Sequence, residues 1–198
     1  MKIFFCIGIS AAVLFAVPAF AQIGPDEQAA ILAAHNNQRA MTGPAPGEAP
    51  LTWSNDLATY AQAWAQNLAN QDQGLMHRDS SPNPADNTIN NPIFPGQSLG
   101  ENLFGSTAPD DGTLGPAAVA DWISEMQFYN HAADDGNGAA GLPPGCTAPQ
   151  GNSCGHYTQV VWSTTTQVGC GKGTSASGWT FVVCNYFPGG NYSGQAPY

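Results

Sequence analysis

Positive charge is scarce in this chain of 198 residues: four Lys and Arg stand against 14 Asp and Glu. With Lys2 set aside as part of the leader described below, only Arg39, Arg78 and Lys172 remain, a net charge near −11. Such a surface repels polyanions, which excludes nucleic acid and anionic membranes as partners. Long apolar runs are equally few. One occurs, Ile3 to Val17, and no later stretch approaches the roughly 18 apolar residues of a membrane span. The sequence has no serine nucleophile elbow, no HExxH, no phosphate loop and no glycine-rich dinucleotide fingerprint. DDGNG, Asp134 to Gly138, begins like a calcium loop but lacks the remaining ligand spacing, so it reads as an acidic loop.

What is present begins with a leader. MKIFFCIGISAAVLFAVPAFAQ carries one lysine, the apolar run, and the small-x-small triplet Ala19, Phe20, Ala21, the pattern of a secretory signal peptide cut before Gln22. Residues 1–21 are therefore expected to be removed and residues 22–198 to form one secreted, extracellular, monomeric domain with no membrane segment. Cys6 leaves with the leader. The four that remain, Cys146, Cys154, Cys170 and Cys184, are an even set in an exported chain and read as two disulfides. No Cys-x-x-Cys knuckle suggests a zinc site instead. Three pairings are open; the local ones, Cys146 with Cys154 and Cys170 with Cys184, are the simplest, each contributing about 2–4 kcal/mol.

Asp26 to Met41 reads as a helix stopped by Thr42, Gly43 and Pro44, with His35 on its apolar side four residues after Ile31. A second helix is expected from Asn55 to Gln71 with Ser54 as cap, because Leu57, Tyr60, Ala61, Trp64 and Leu68 recur at helical spacing. A proline-rich loop holds His77, followed by the short apolar run Leu99 to Phe104. A third helix opens at Gly115-Pro116, with Val119, Trp122, Ile123, Met126 and Tyr129 on its apolar face and Glu125 at the edge of that face. A long loop, His131 to Ser153, then leads to three strand-like runs, Tyr157 to Trp162, Gln167 to Gly171 and Trp179 to Phe187, whose short connections suggest an antiparallel meander. Helices first and strands last predict an α+β fold.

The titratable candidates are few: His35, His77, His131 and His156, and the glutamates Glu27, Glu48, Glu101 and Glu125. Four ordered stretches turn them into a set. GHYTQVVW (Gly155 to Trp162), CNYFPGGNY (Cys184 to Tyr192), HNNQR (His35 to Arg39) and GENL (Gly100 to Leu103) resemble the signatures of the CAP superfamily of cysteine-rich secretory, antigen 5 and pathogenesis-related proteins. The resemblance implies an α-β-α sandwich around a three-stranded antiparallel sheet. It also implies a cavity of two histidines and two glutamates, which fall here on His77, Glu101, Glu125 and His156, with His35, Arg39 and Asn185 as structural members of the motifs.

Two close carboxylates repel, and two neutral imidazoles offer lone pairs, so a divalent cation would relieve the set. Zinc suits its nitrogen and oxygen donors better than magnesium or calcium. Without metal, protonated histidines can pair with the glutamates. The implied function is a binding protein, for a sterol or other apolar ligand, with a metal-capable cavity. A metal-dependent hydrolase or peptidase using the same cavity, and an effector or defence protein acting through an extracellular protein partner, are the alternatives. The tail, Pro188 to Tyr198, resembles a terminal peptide that some plant members release, against which stands simple packing on the sheet. Asn191-Tyr192-Ser193 is a glycosylation sequon.

Overall fold

The computed structural model describes residues 22–42, 49–80, 88–131 and 145–198; the expected leader, Glu48 and the Asp134–Gly138 stretch lie outside them. Helix α1 (Pro25–Thr42) has Asp26 and Glu27 in its first turn and Arg39 in its last, charges that complement its dipole. Helix α2 (Asn55–Gln71) has the bounds its periodicity predicts, and Ser54 Oγ accepts the Leu57 N–H at 3.3 Å to cap it. Helix α3 (Leu114–Ser124) starts one residue before the expected Gly115-Pro116 and tightens into a 3-10 turn, Glu125–Phe128. A short helix, α4 (Gly155–Val160), precedes the last two strands.

The fold is α+β as expected, but the sheet differs. It has four strands, β1 (Thr52–Trp53), β2 (Gly100–Ser106), β3 (Gln167–Thr174) and β4 (Thr180–Phe187), in the order β1-β3-β4-β2. The antiparallel trio β3, β4 and β2 is joined by β1, which lies parallel to β3 and is too short to show alternation in sequence. The third member of the trio is the GENLF run, not Tyr157 to Trp162. That second segment is helical instead. Its Thr158 N–H and Val161 N–H bond to the carbonyls of Cys154 and Tyr157 at 2.9 and 3.1 Å, and Tyr157 through Trp162 are all buried, the polar Thr158 and Gln159 included, so the strand-like composition reflects a helix enclosed on every side.

Strand alternation separates two layers. On β3, Gly169, Gly171 and Gly173 face α2, and a Cβ on Gly169 would lie 2.2 Å from the Ala58 backbone nitrogen; glycine is required for α2 to lie this close. Leu103, Phe181 and Val183 join Trp64 and Leu68 on that side. The other face packs Val168, Cys170, Val182, Cys184 and Tyr186 against Ile31, Val119, Trp122 and Tyr157 of α1, α3 and α4. Disulfides join Cys146 to Cys154, just before α4, and Cys170 to Cys184, across β3 and β4.

All three cations among the described residues are buried: Arg39, Arg78 and Lys172 are 3%, 6% and 3% exposed. Lys172 Nζ reaches Glu27 Oε2 at 2.7 Å and Asp110 Oδ2 at 2.8 Å, while Glu27 Oε1 accepts the Gly115 N–H, so this cluster fastens α1, β3 and the start of α3 together. Burial alone would lower the ammonium's pKa, but hydrogen bonds to Asp110 and Glu27 outweigh it and hold Lys172 above its usual value. Arg78 stacks its guanidinium over the Tyr60 ring at 3.7 Å. Arg39 gives its guanidinium N–H groups to the carbonyls of Val160, Trp162, Ala49 and Thr165.

A buried polar chain crosses the second layer. His35 donates from Nδ1 to Ile31 O at 2.9 Å and accepts the Tyr186 hydroxyl on Nε2 at 2.9 Å; Asn102 Nδ2 then donates to Tyr186 Oη and to His156 O. Burial pushes the Tyr186 phenol well above its ordinary pKa, which keeps it a donor. Burial also lowers His35 from 6.5 to about 4. Above pH 6.5 the imidazole is neutral folded or unfolded; below it the unfolded chain takes up the proton first, so stability is lost as pH falls toward 4. Urea unfolding across this window is expected to show a His35 contribution of up to about 3 kcal/mol that is missing from the slope of His35→Gln.

Candidate functional site

Sequence-distant residues meet as two histidine–glutamate pairs on either side of edge strand β2. Alternation along β2 sets this geometry. Glu101 and Leu103 point toward the α2 layer, while Asn102 points to the other face, where its amide holds the carbonyl of His156. His77 leaves the loop after α2 next to Arg78, whose stacking on Tyr60 and Trp64 anchors the segment. His156 is presented by the first turn of α4, and its ring stacks on Trp122 with centroids 6.2 Å apart.

The two pairs share one bonding pattern. Glu101 Oε1 accepts from His77 Nδ1 at 3.0 Å and from the backbone N–H of Arg78 at 2.9 Å. Glu125 Oε1 accepts from His156 Nδ1 at 2.7 Å, and its Oε2 accepts the N–H groups of His156 and Tyr157 at 2.9 and 3.2 Å. A carboxylate can only accept, so each imidazole carries hydrogen on Nδ1 and turns Nε2 away from its glutamate. The glutamates are the enclosed members, Glu101 at 5% and Glu125 at 16% side-chain exposure, and the imidazoles face outward at 50% for His77 and 29% for His156.

Glu125 also acts on α4 itself. The first N–H groups of a helix have no partner within it, and Glu125 supplies one for two of them. Among the described residues no three His, Cys, Asp or Glu side chains are grouped closely enough to hold a metal ion together, and the four expected residues come together two by two. The donor chemistry nevertheless fits zinc: two imidazoles, each with a carboxylate behind it.

His35 and Arg39 lie away from the pairs as buried struts. Asn191, at φ +58°, accepts the Thr158 hydroxyl on Oδ1 and donates to Gly155 O, so the sequon amide fastens the tail to α4. The tail packs further through Ser163 N–H to Pro197 O and through Tyr198 stacked on His131. Sequence reasoning missed Trp122 and Asn102 as parts of the site. Trp122 carries only the signal of an apolar helix face, and Asn102 is one polar residue within an alternating strand.

Residues 32–186 match the cysteine-rich secretory protein family. Pathogenesis-related protein 1A of Nicotiana tabacum is 36% identical over 190 residues, covering 96% of this chain and 92% of that protein. Pathogenesis-related leaf protein 4 of Solanum lycopersicum is 36% identical over 167 residues, covering 84% and 80%. Among solved structures, NaASP2 crystallised with Zn2+ superimposes with a TM-score of 0.63 at 22% identity, over 89% of this chain and 86% of that one, a likeness of fold.

Replacing Glu125 by alanine removes the partner of two α4 N–H groups and of the His156 ring. The substitution is expected to cost about 1–3 kcal/mol by urea denaturation, with loss of amide-exchange protection confined to α4 and its neighbours.

Proposed function

Because the chain belongs to the cysteine-rich secretory protein family, we propose that it is an extracellular binding protein whose two histidine–glutamate pairs take up a divalent cation, zinc being the ion their donors suit best. One observation carries the reading. Each imidazole gives its Nδ1–H to a largely enclosed carboxylate and turns Nε2 outward, the arrangement by which a carboxylate orients a metal-binding histidine. His77 and His156 would hold the ion, and Glu101 and Glu125 would hold the imidazoles and balance its charge. The crystal structure of NaASP2 with Zn2+ supports this at the level of a shared fold.

Binding is favoured over hydrolysis by the state of the carboxylates. Each already accepts from an imidazole and from at least one backbone N–H, so neither stands ready as a general base. An apolar ligand of sterol type is a second part of the reading, supported by a groove of about 530 Å³ between α2 and the Pro92–Ile93 segment. Thr59, Tyr60 and Ala63 form one wall, and Phe94 stacked on Phe187 at 3.5 Å belongs to the same apolar cluster. The groove draws on none of the four pair residues, which separates lipid from cation.

Calorimetry should find zinc binding in the wild type and none in the His77→Ala, His156→Ala double variant; unchanged binding would refute the assignment. The same variant should keep its affinity for radiolabelled cholesterol, since the groove is elsewhere. A peptide-library digest should show no cleavage that a chelator abolishes.

A further inference from the structure

The two glutamates are held differently on the oxygen that does not face the imidazole. Oε2 of Glu125 accepts two backbone N–H groups, which the start of α4 provides without any special side chain. Oε2 of Glu101 has no backbone donor; it accepts from Asn185 Nδ2 at 3.4 Å. Asn185 lies on β4, where Glu101 is its register partner on β2, and it is fully buried. Its Nδ2 also donates to Gly100 O at 3.1 Å, while its Oδ1 is buried with no hydrogen-bond partner. Turning the amide over would set its oxygen against the Gly100 carbonyl and the Glu101 carboxylate, so the orientation is fixed by repulsion. A buried acceptor without a donor opposes folding. The neighbouring positions on this face of β4, Phe181 and Val183, are apolar, so a polar group here breaks the local pattern next to the candidate site.

We infer that Asn185 is a positioning residue for the cation site: acting through Glu101, it holds the His77 imidazole with its hydrogen on Nδ1 and Nε2 free to bind metal. This deepens, and rests on, the cation-binding reading. Without Asn185 the carboxylate is tethered through Oε1 alone and can turn about its terminal torsion, which no longer fixes the ring. The His156 pair, anchored to backbone, does not depend on Asn185.

The test is Asn185→Leu in the full secreted chain, read three ways. Ring ¹⁵N NMR of the metal-free protein should show His77 losing its single Nδ1–H tautomer while His156 is unchanged. Calorimetric zinc affinity should fall 10- to 100-fold. The urea midpoint should change little, because the unpartnered acceptor is gone while Gly100 O and Glu101 Oε2 each lose a donor. A wild-type His77 spectrum with zinc affinity within twofold of wild type would overturn the inference, as would a lowered midpoint with the tautomer intact, the result for a purely structural asparagine. If Asn185→Leu fails to fold, Asn185→Ser, whose side chain is too short to reach Glu101, carries the same comparison. Should the wild type bind no zinc, the cation reading fails by itself, and the His77 spectrum still decides the role of Asn185.

Discussion

Glu125 and Arg39 grip helix α4 from opposite ends. The carboxylate accepts its first N–H groups, and the guanidinium donates to Val160 O and Trp162 O where it stops. Helices of six residues are not stable alone, and this one carries β-branched residues that favour strands. Opposite charges at the proper ends satisfy the groups a helix leaves unpaired and complement its dipole. The Cys146–Cys154 disulfide and the Asn191 amide fix the approach to it. His156 has a defined direction only because α4 is a helix. The histidine–glutamate pair that forms half of the site therefore also folds the element presenting it.

The other half depends on the sheet. β2 is an edge strand, so residues on its two faces can meet partners from both layers around a free border. Three glycines on β3 let α2 settle against the sheet, and α2 carries the rings that bear Arg78, the neighbour of His77. The polar chain from His35 through Tyr186 and Asn102 links α1 to the His156 carbonyl inside the opposite layer. Each pair is thus supported by a different layer, which explains why they form as two units.

Much of this was legible in the chain. Apolar spacing and a capping serine located α2 to the residue, and the acidic start of α1 with the Thr42-Gly43-Pro44 stop marked its limits within a residue. The identity of the paired residues came from motif resemblance, not from periodicity. What could not be read was set by tertiary partners. Tyr157 to Trp162 has the composition of a strand and becomes helical because Glu125 and Arg39, far away in sequence, meet its ends. β1 is two residues long and exists only as an addition to β3. The one-to-one pairing of histidines with glutamates depends on which face of β2 each residue meets, which no spacing reveals.

The enclosure of Arg39, Arg78 and Lys172 has a consequence for approach from solution. Among the described residues every permanently charged group left at the surface is an anion, so the long-range potential around the domain has one sign. Small cations and basic segments of other proteins are drawn in from beyond contact distance, at rates that ionic strength tunes through the Debye length of about 10 Å at 0.1 M salt. By placing its few cations inside the fold, the chain makes its exterior a collector of positive charge.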